Sequence, residues 1–97
     1  MNMKARISLR PPFFITGSGG RKRVSPQAVN LLYGLMARRL LTAEMIMELL
    51  WSNTNQRPDF WRNAIRSYVH ELNVALQPCG WRTTNRRCFG WTLEHTT

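Results

Sequence analysis

The sequence predicts one α+β domain, with short N-terminal antiparallel strands, three helices and a C-terminal β-hairpin. Three observations predict it. The first 24 residues alternate apolar and polar positions between Pro and Gly breaks. The middle carries three stretches with apolar residues at helical spacing, each introduced by a capping Ser, Thr or Asp. The last 17 residues return to strand-like composition on both sides of Asn85-Arg86-Arg87. A chain of 97 residues leaves room for one domain, since domains commonly hold about 100–150 residues.

The N-terminal elements come first. In residues 5–10, Ile7 and Leu9 share one face while Arg6, Ser8 and Arg10 share the other, the period of a half-buried strand. Pro11-Pro12 breaks it, and Phe13-Phe14-Ile15-Thr16 forms a second apolar run. Gly17-Ser18-Gly19-Gly20 reads as a hairpin turn, with Arg21 to Val24 returning as a third strand. A Gly-rich loop can also cradle phosphate, but that needs a helix N-terminus directly after it and a Lys/Thr pair, and neither follows.

Ser25-Pro26 opens the first helix, because Ser caps free backbone donors and Pro suits the first helical position. Its expected inward stripe is Val29, Leu32, Tyr33 and Met36. Gly34 inside it marks a place where another element packs close. Arg38 and Arg39 suit the C-terminal end. Thr42 caps the second helix and Glu44 lies in its first turn. Met45, Ile46, Leu49 and Leu50 form its apolar stripe, and Trp51 ends it. Residues 52–58 are a polar loop, after which Asp59 is expected to cap the third helix. Trp61, Ile65, Tyr68, Val69, Leu72 and Leu76 make its inward stripe, and Pro78 and Gly80 stop it. The closing hairpin pairs 81–84 with 88–93, with Phe89, Trp91 and Leu93 sharing parity and facing the core. Residues 94–97 are expected to fray.

Fourteen Lys and Arg stand against five Asp and Glu, a formal charge of +9. Residues 1–25 hold six cations and no acid, residues 26–59 balance to zero, and residues 60–97 carry +3. Twelve of the fourteen cations are Arg, whose flat fork fits phosphate oxygens or a guanine edge. The third helix is the most informative segment. A solvated helix face usually mixes Glu with Lys. Here Arg62, Asn63, Arg66, Ser67, His70 and Asn73 have one acid among them, Glu71, and these are side chains that hydrogen-bond to bases and phosphates. The composition points to a polyanion partner, most often nucleic acid.

Other chemistry is poorly represented. No run is long enough for a membrane span, and Met1 to Arg6 leads into no signal-peptide pattern, so a cytoplasmic protein is expected. Cys79 and Cys88 are nine positions apart and, with His70 and His95, lack zinc-site spacing, so no metal or cofactor is expected. Free thiols suit a cytosolic chain, although the spacing leaves a Cys79–Cys88 disulfide open. The five acids form no paired-carboxylate site, and no nucleophile has a base with an orienting group, so no enzyme is expected.

Strands, three helices and a hairpin are the order of a winged helix-turn-helix. The run from Val24 to Leu93 resembles the DNA-binding output domain of OmpR/PhoB-type response regulators. The resemblance rests on Val24-Ser25-Pro26 at the entry to the first helix, Leu50-Trp51 at the end of the second, and Ile65, Val69, Leu72 and Leu76 on the third. Thr84, Arg86, Gly90, Trp91 and Leu93 look like the family's wing motif. It covers about 70 of the 97 residues. Residues 1–24 stand for the family's leading sheet and belong to the same domain as the winged helix of 25–97.

The resemblance implies sequence-specific binding of double-stranded DNA by a transcriptional regulator. The third helix would lie in the major groove, with the wing on the adjacent minor groove or backbone. The implied DNA-binding residues are Arg62, Asn63, Arg66, Ser67, His70, Asn73, Arg82, Arg86 and Arg87, with Glu71 also groove-side. It further implies a contact with RNA polymerase through the 52–58 loop, and homodimers on tandem or palindromic sites. The chain has Glu71-Leu72-Asn73 where the family commonly has Arg-Leu-Arg, and Arg87 where its wing has Gly. No receiver domain accompanies it, so a stand-alone relative is expected. The alternative is a protein-binding winged helix that uses Trp51, Phe60, Trp61 and the 52–58 loop.

Overall fold

The structure is a computed structural model that describes residues 6–8, 10–17, 20–86 and 89–96. Leu9, Ser18, Gly19, Arg87 and Cys88, on which sequence expectations also fall, lie outside the described residues, as do residues 1–5 and 97. The elements run β1 (Arg6–Ile7), β2 (Phe13–Gly17), β3 (Gly20–Val24), α1 (Pro26–Ala37), α2 (Ala43–Leu50), α3 (Trp61–Leu76), β4 (Trp81–Asn85) and β5 (Trp91–His95). This is the α+β winged helix-turn-helix layout that the sequence predicts.

β1, β2 and β3 form an antiparallel sheet in that order, with Phe13 opposite Val24 and Ile15 opposite Lys22. The inward positions Ile15 and Val24 are buried, while Arg21, Lys22 and Arg23 are exposed. β1 is only two residues long, shorter than the strand expected over 5–10.

Capping chemistry sets the first two helix starts. The Ser25 hydroxyl accepts from the Ala28 N–H at 3.3 Å, and the Thr42 hydroxyl accepts from the Met45 N–H at 3.1 Å. α3 differs from expectation. It starts one residue late for Asp59, with Phe60 at the cap position and no side-chain cap bond. The first helical residue, Trp61, packs against the core, and that contact fixes the start in place of a capping side chain.

The α1 stripe is rotated from the expected one. Ala28, Leu31, Leu32 and Leu35 are buried with Val29, whereas Tyr33 and Met36 face outward. α1 is apolar on nearly every side, so two faces satisfied the helical period, and packing on α2 and α3 selected one. Gly34 lies at the α1–α2 crossing, where an added Cβ would stand 2.5 Å from Leu49 Cδ2 and 3.0 Å from Leu41 Cδ1. In α2, Ile46 and Leu50 are buried but Leu49 is exposed. Trp51 is buried too, and its ring lies 6.4 Å from that of Tyr68.

The inward side of α3 is as expected, with Ile65, Leu72 and Leu76 fully buried. A short 3-10 turn, Gln77–Cys79, leads into the hairpin, where β4 and β5 pair antiparallel with Trp81 opposite His95 and Asn85 opposite Trp91. A third rung crosses from the helices. The Leu41 N–H donates to the Trp91 carbonyl at 3.0 Å, and the Trp91 N–H donates back at 2.8 Å. Gly90 makes this approach possible: its φ is +142°, and a Cβ there would stand 2.1 Å from the Leu41 carbonyl oxygen.

Two C-terminal expectations are corrected. Phe89 does not face the core, because the strand begins at Trp91 and the turn at Gly90 breaks the parity that would have aligned Phe89 with Leu93. Glu94 and His95 are not frayed: they are paired in β5, and the Thr96 N–H donates to the Gly80 carbonyl at 2.9 Å.

Candidate nucleic-acid interface

α3 is flanked on one side by β4 and on the other by β3 and the start of α1, which leaves one long face open. Arg62, Asn63, Arg66, Ser67 and His70 are exposed on it. β4 runs antiparallel to α3, so its far end, Asn85, comes to the start of the helix. There Arg62, Arg66, Asn85 and Gly90 line a cleft of about 340 Å³ between helix and wing. At the other end, His70, Val74, Gln77 and Arg82 line a second hollow of about 490 Å³.

The one acid of α3 is withdrawn from that face. Glu71 accepts from the Ser25 backbone N–H at 2.5 Å and from the Ser25 hydroxyl at 2.9 Å. A carboxylate at this position joins two free donors at the N-terminal end of α1 to the side of α3. Glu71 is therefore an internal brace, not the groove-side residue implied by position. The open face of α3 carries two Arg and a His, with no acid.

Asn73 is likewise engaged inside. Its Oδ1 accepts from the Thr83 backbone N–H at 2.7 Å and from the Thr83 hydroxyl at 2.9 Å, which fastens β4 to α3. This clamp lines the second hollow and fixes the wing against the helix.

The cations fall into two groups. Arg62 pairs with Glu44 of α2 at 2.8 Å and lies over the Trp61 ring at 4.5 Å. The Glu44 backbone N–H and the Arg62 guanidinium together hold the Glu44 carboxyl below the usual glutamate range. Arg86 pairs with Glu94 and donates to the Thr92 hydroxyl at 3.3 Å, while Thr84 donates to Glu94 at 3.0 Å. This cluster spans the base of the wing turn. By contrast, Asn63, Arg66, Ser67, His70 and Arg82 make no side-chain hydrogen bond or ion pair among the described residues. Asn63 and Ser67 lie on the side of the open face away from the wing and line neither hollow.

Asn85, which the sequence marks only as part of the wing turn, shares the cleft at the start of α3 with Arg66. Two aromatic residues are largely exposed: Phe60, which the sequence assigns to the alternative protein contact, at 76%, and Phe89, which it assigns to the core, at 70%. Asn85 could have been found from its place beside Arg86, but the outward setting of Phe89 has no signal in residue spacing.

Among the described residues, no group of His, Cys, Asp and Glu is placed to hold a metal ion, and no helix is long and apolar enough to cross a membrane. Cys79 is a free thiol against Gly17, and burial raises its pKa, the opposite of an activated nucleophile. Comparison with protein-family models, curated proteins and solved structures finds no match to the chain.

Proposed function

We propose that this chain is a sequence-specific double-stranded DNA-binding protein that regulates transcription. α3 enters the major groove and the wing lies on the adjacent backbone or minor groove. The observation that carries this reading is the open face of α3, where Arg66, Asn63, Ser67 and His70 are unspent while Glu71 is turned inward to Ser25. A B-DNA major groove admits one α-helix, and Arg and Asn are the side chains that read guanine and adenine edges there. Arg82, also unspent, supplies a backbone contact from the wing side. The cations of residues 1–25 add sequence-independent attraction.

The test is a gel shift of the full chain with random duplex at two salt concentrations, followed by selection of bound sequences from a random pool. The expected result is a shift that weakens steeply with salt, by about 0.9 log units per log of salt for each phosphate neutralised. A salt-insensitive result, or no shift, overturns the proposal.

A second reading is a protein-docking module that meets RNA polymerase near the 52–58 loop. Phe60, the most exposed large apolar residue described, favours it. Trp51 does not contribute, since it is buried in the core.

A further inference from the structure

Phe89 is hydrogen-bonded to described residues of the wing. Its N–H donates to the Arg86 carbonyl at 2.9 Å, and the Arg86 N–H donates to the Gly90 carbonyl at 2.7 Å. Gly90 is followed directly by the Trp91–Leu41 rung, and the Arg86 side chain is tied to Glu94 and Thr92. Phe89 therefore presents its ring, 70% exposed, beside residues of the wing that are hydrogen-bonded in place. Beside these residues lies the cleft lined by Arg62, Arg66 and Asn85.

We propose that Phe89 is an apolar wedge that enters the minor groove of a bound duplex, partly unstacks one base step and bends the DNA. The proposal rests on the DNA-binding reading above. An element beside a helix seated in the major groove reaches the neighbouring minor groove, and single apolar side chains inserted there kink duplexes by about 20–90°. Two features favour DNA over a protein surface as the partner. Phe89 is the only large exposed apolar residue of the wing among the described residues, whereas protein docking uses a contiguous apolar patch. The cleft that reaches Gly90, the residue next to Phe89, includes Arg62, Arg66 and Asn85, side chains that suit the phosphates flanking a widened groove. The wedge also gives Arg86 a positioning role, since its side chain is tied to Glu94 and its backbone is bonded to Phe89 and Gly90.

The experiment uses the full chain and a duplex of about 25 base pairs rich in TA and CA/TG steps, which kink most readily. Dyes at the two ends report the bend, and 2-aminopurine at the flexible steps reports unstacking. The expected result is that wild type shortens the end-to-end distance and raises 2-aminopurine fluorescence. Phe89→Ala binds in a salt-sensitive way, about tenfold more weakly, and leaves the duplex straight and stacked. Phe89→Leu, which keeps an apolar side chain, retains part of the bend. Far-UV dichroism of both variants establishes that the fold is kept. A wild-type complex with straight DNA, or a Phe89→Ala complex bent like wild type, overturns the wedge and leaves the DNA-binding reading standing. No salt-sensitive binding by wild type overturns that reading itself.

Discussion

Replacing Gly90 with alanine should break the rung that ties the turn end of the wing to Leu41. Two costs combine. The residue sits at φ +142°, where an L side chain is strained by about 1–3 kcal/mol. Its Cβ would also stand 2.1 Å from the Leu41 carbonyl oxygen, so the strand must move away. Moving it forfeits the reciprocal Leu41–Trp91 hydrogen bonds, at 3.0 and 2.8 Å, worth about 0.5–1.5 kcal/mol each. The sum is roughly 2–6 kcal/mol, a large share of the roughly 5–15 kcal/mol that holds a domain folded. For a domain of this size each kcal/mol moves the melting temperature by about 4–8 °C. Gly90→Ala should therefore melt at least about 8 °C below wild type. Thermal unfolding followed by far-UV dichroism, with the fluorescence of the four tryptophans as a second probe, measures this. Phe89→Ala, one residue away but exposed, is the control and should shift stability by no more than about 0.5 kcal/mol. A Gly90→Ala variant that melts within about 2 °C of wild type would refute the account of the rung.

Further outcomes follow from the same geometry. Glu71→Ala should destabilise the fold by about 1.5–3 kcal/mol in urea, because it strands the Ser25 N–H and hydroxyl, yet leave duplex affinity nearly unchanged. A tenfold rise in affinity would mean that Glu71 faces the DNA after all. Arg66→Ala should lose about 1–3 kcal/mol on a selected sequence and much less on random duplex; equal losses in parallel titrations would reduce Arg66 to a phosphate contact. The Glu44 carboxyl, held low by its backbone N–H and by Arg62, should protonate below the ordinary glutamate range. Because the folded value is depressed, the Glu44–Arg62 contact is present at neutral pH and lost as pH falls through that lower value. Carboxyl-carbon NMR of wild type and Arg62→Ala checks it, and an identical midpoint in the two proteins would remove Arg62 as a cause.

Local chemistry with a single reading was legible in the sequence. Ser25 and Thr42 are capping residues next to an apolar period, and each caps its helix. The buried positions of α3 are spaced so that one face alone is apolar, and that face is inside. Where several arrangements fit the same pattern, tertiary packing decided. α1 offered two apolar faces, and Leu31 and Leu35 went in while Tyr33 and Met36 stayed out. Asp59 is a good capping residue, but the packing of Trp61 sets the start of α3. The candidate surface divides in the same way. Periodicity placed Arg62, Arg66 and His70 on one face, which needs only the helix. It could not show that Glu71 and Asn73 are held by Ser25 and Thr83, because those partners are 46 and 10 residues away.

The junction between β3 and α1 has a practical consequence. Val24 closes the sheet and Ser25 caps the helix with no residue between them, while Ile15 and Val24 are part of the same buried cluster as Leu32 and Leu72. The described strands Phe13–Gly17 and Gly20–Val24 of the basic N-terminal segment are thus a wall of the molecule. Cutting it away to ask what its cations do would open the interior and confuse lost charge with lost structure. Under the DNA-binding proposal, its charge is better tested by neutralising Arg21, Lys22 and Arg23 in place, where all three are exposed and their replacement leaves the interior closed.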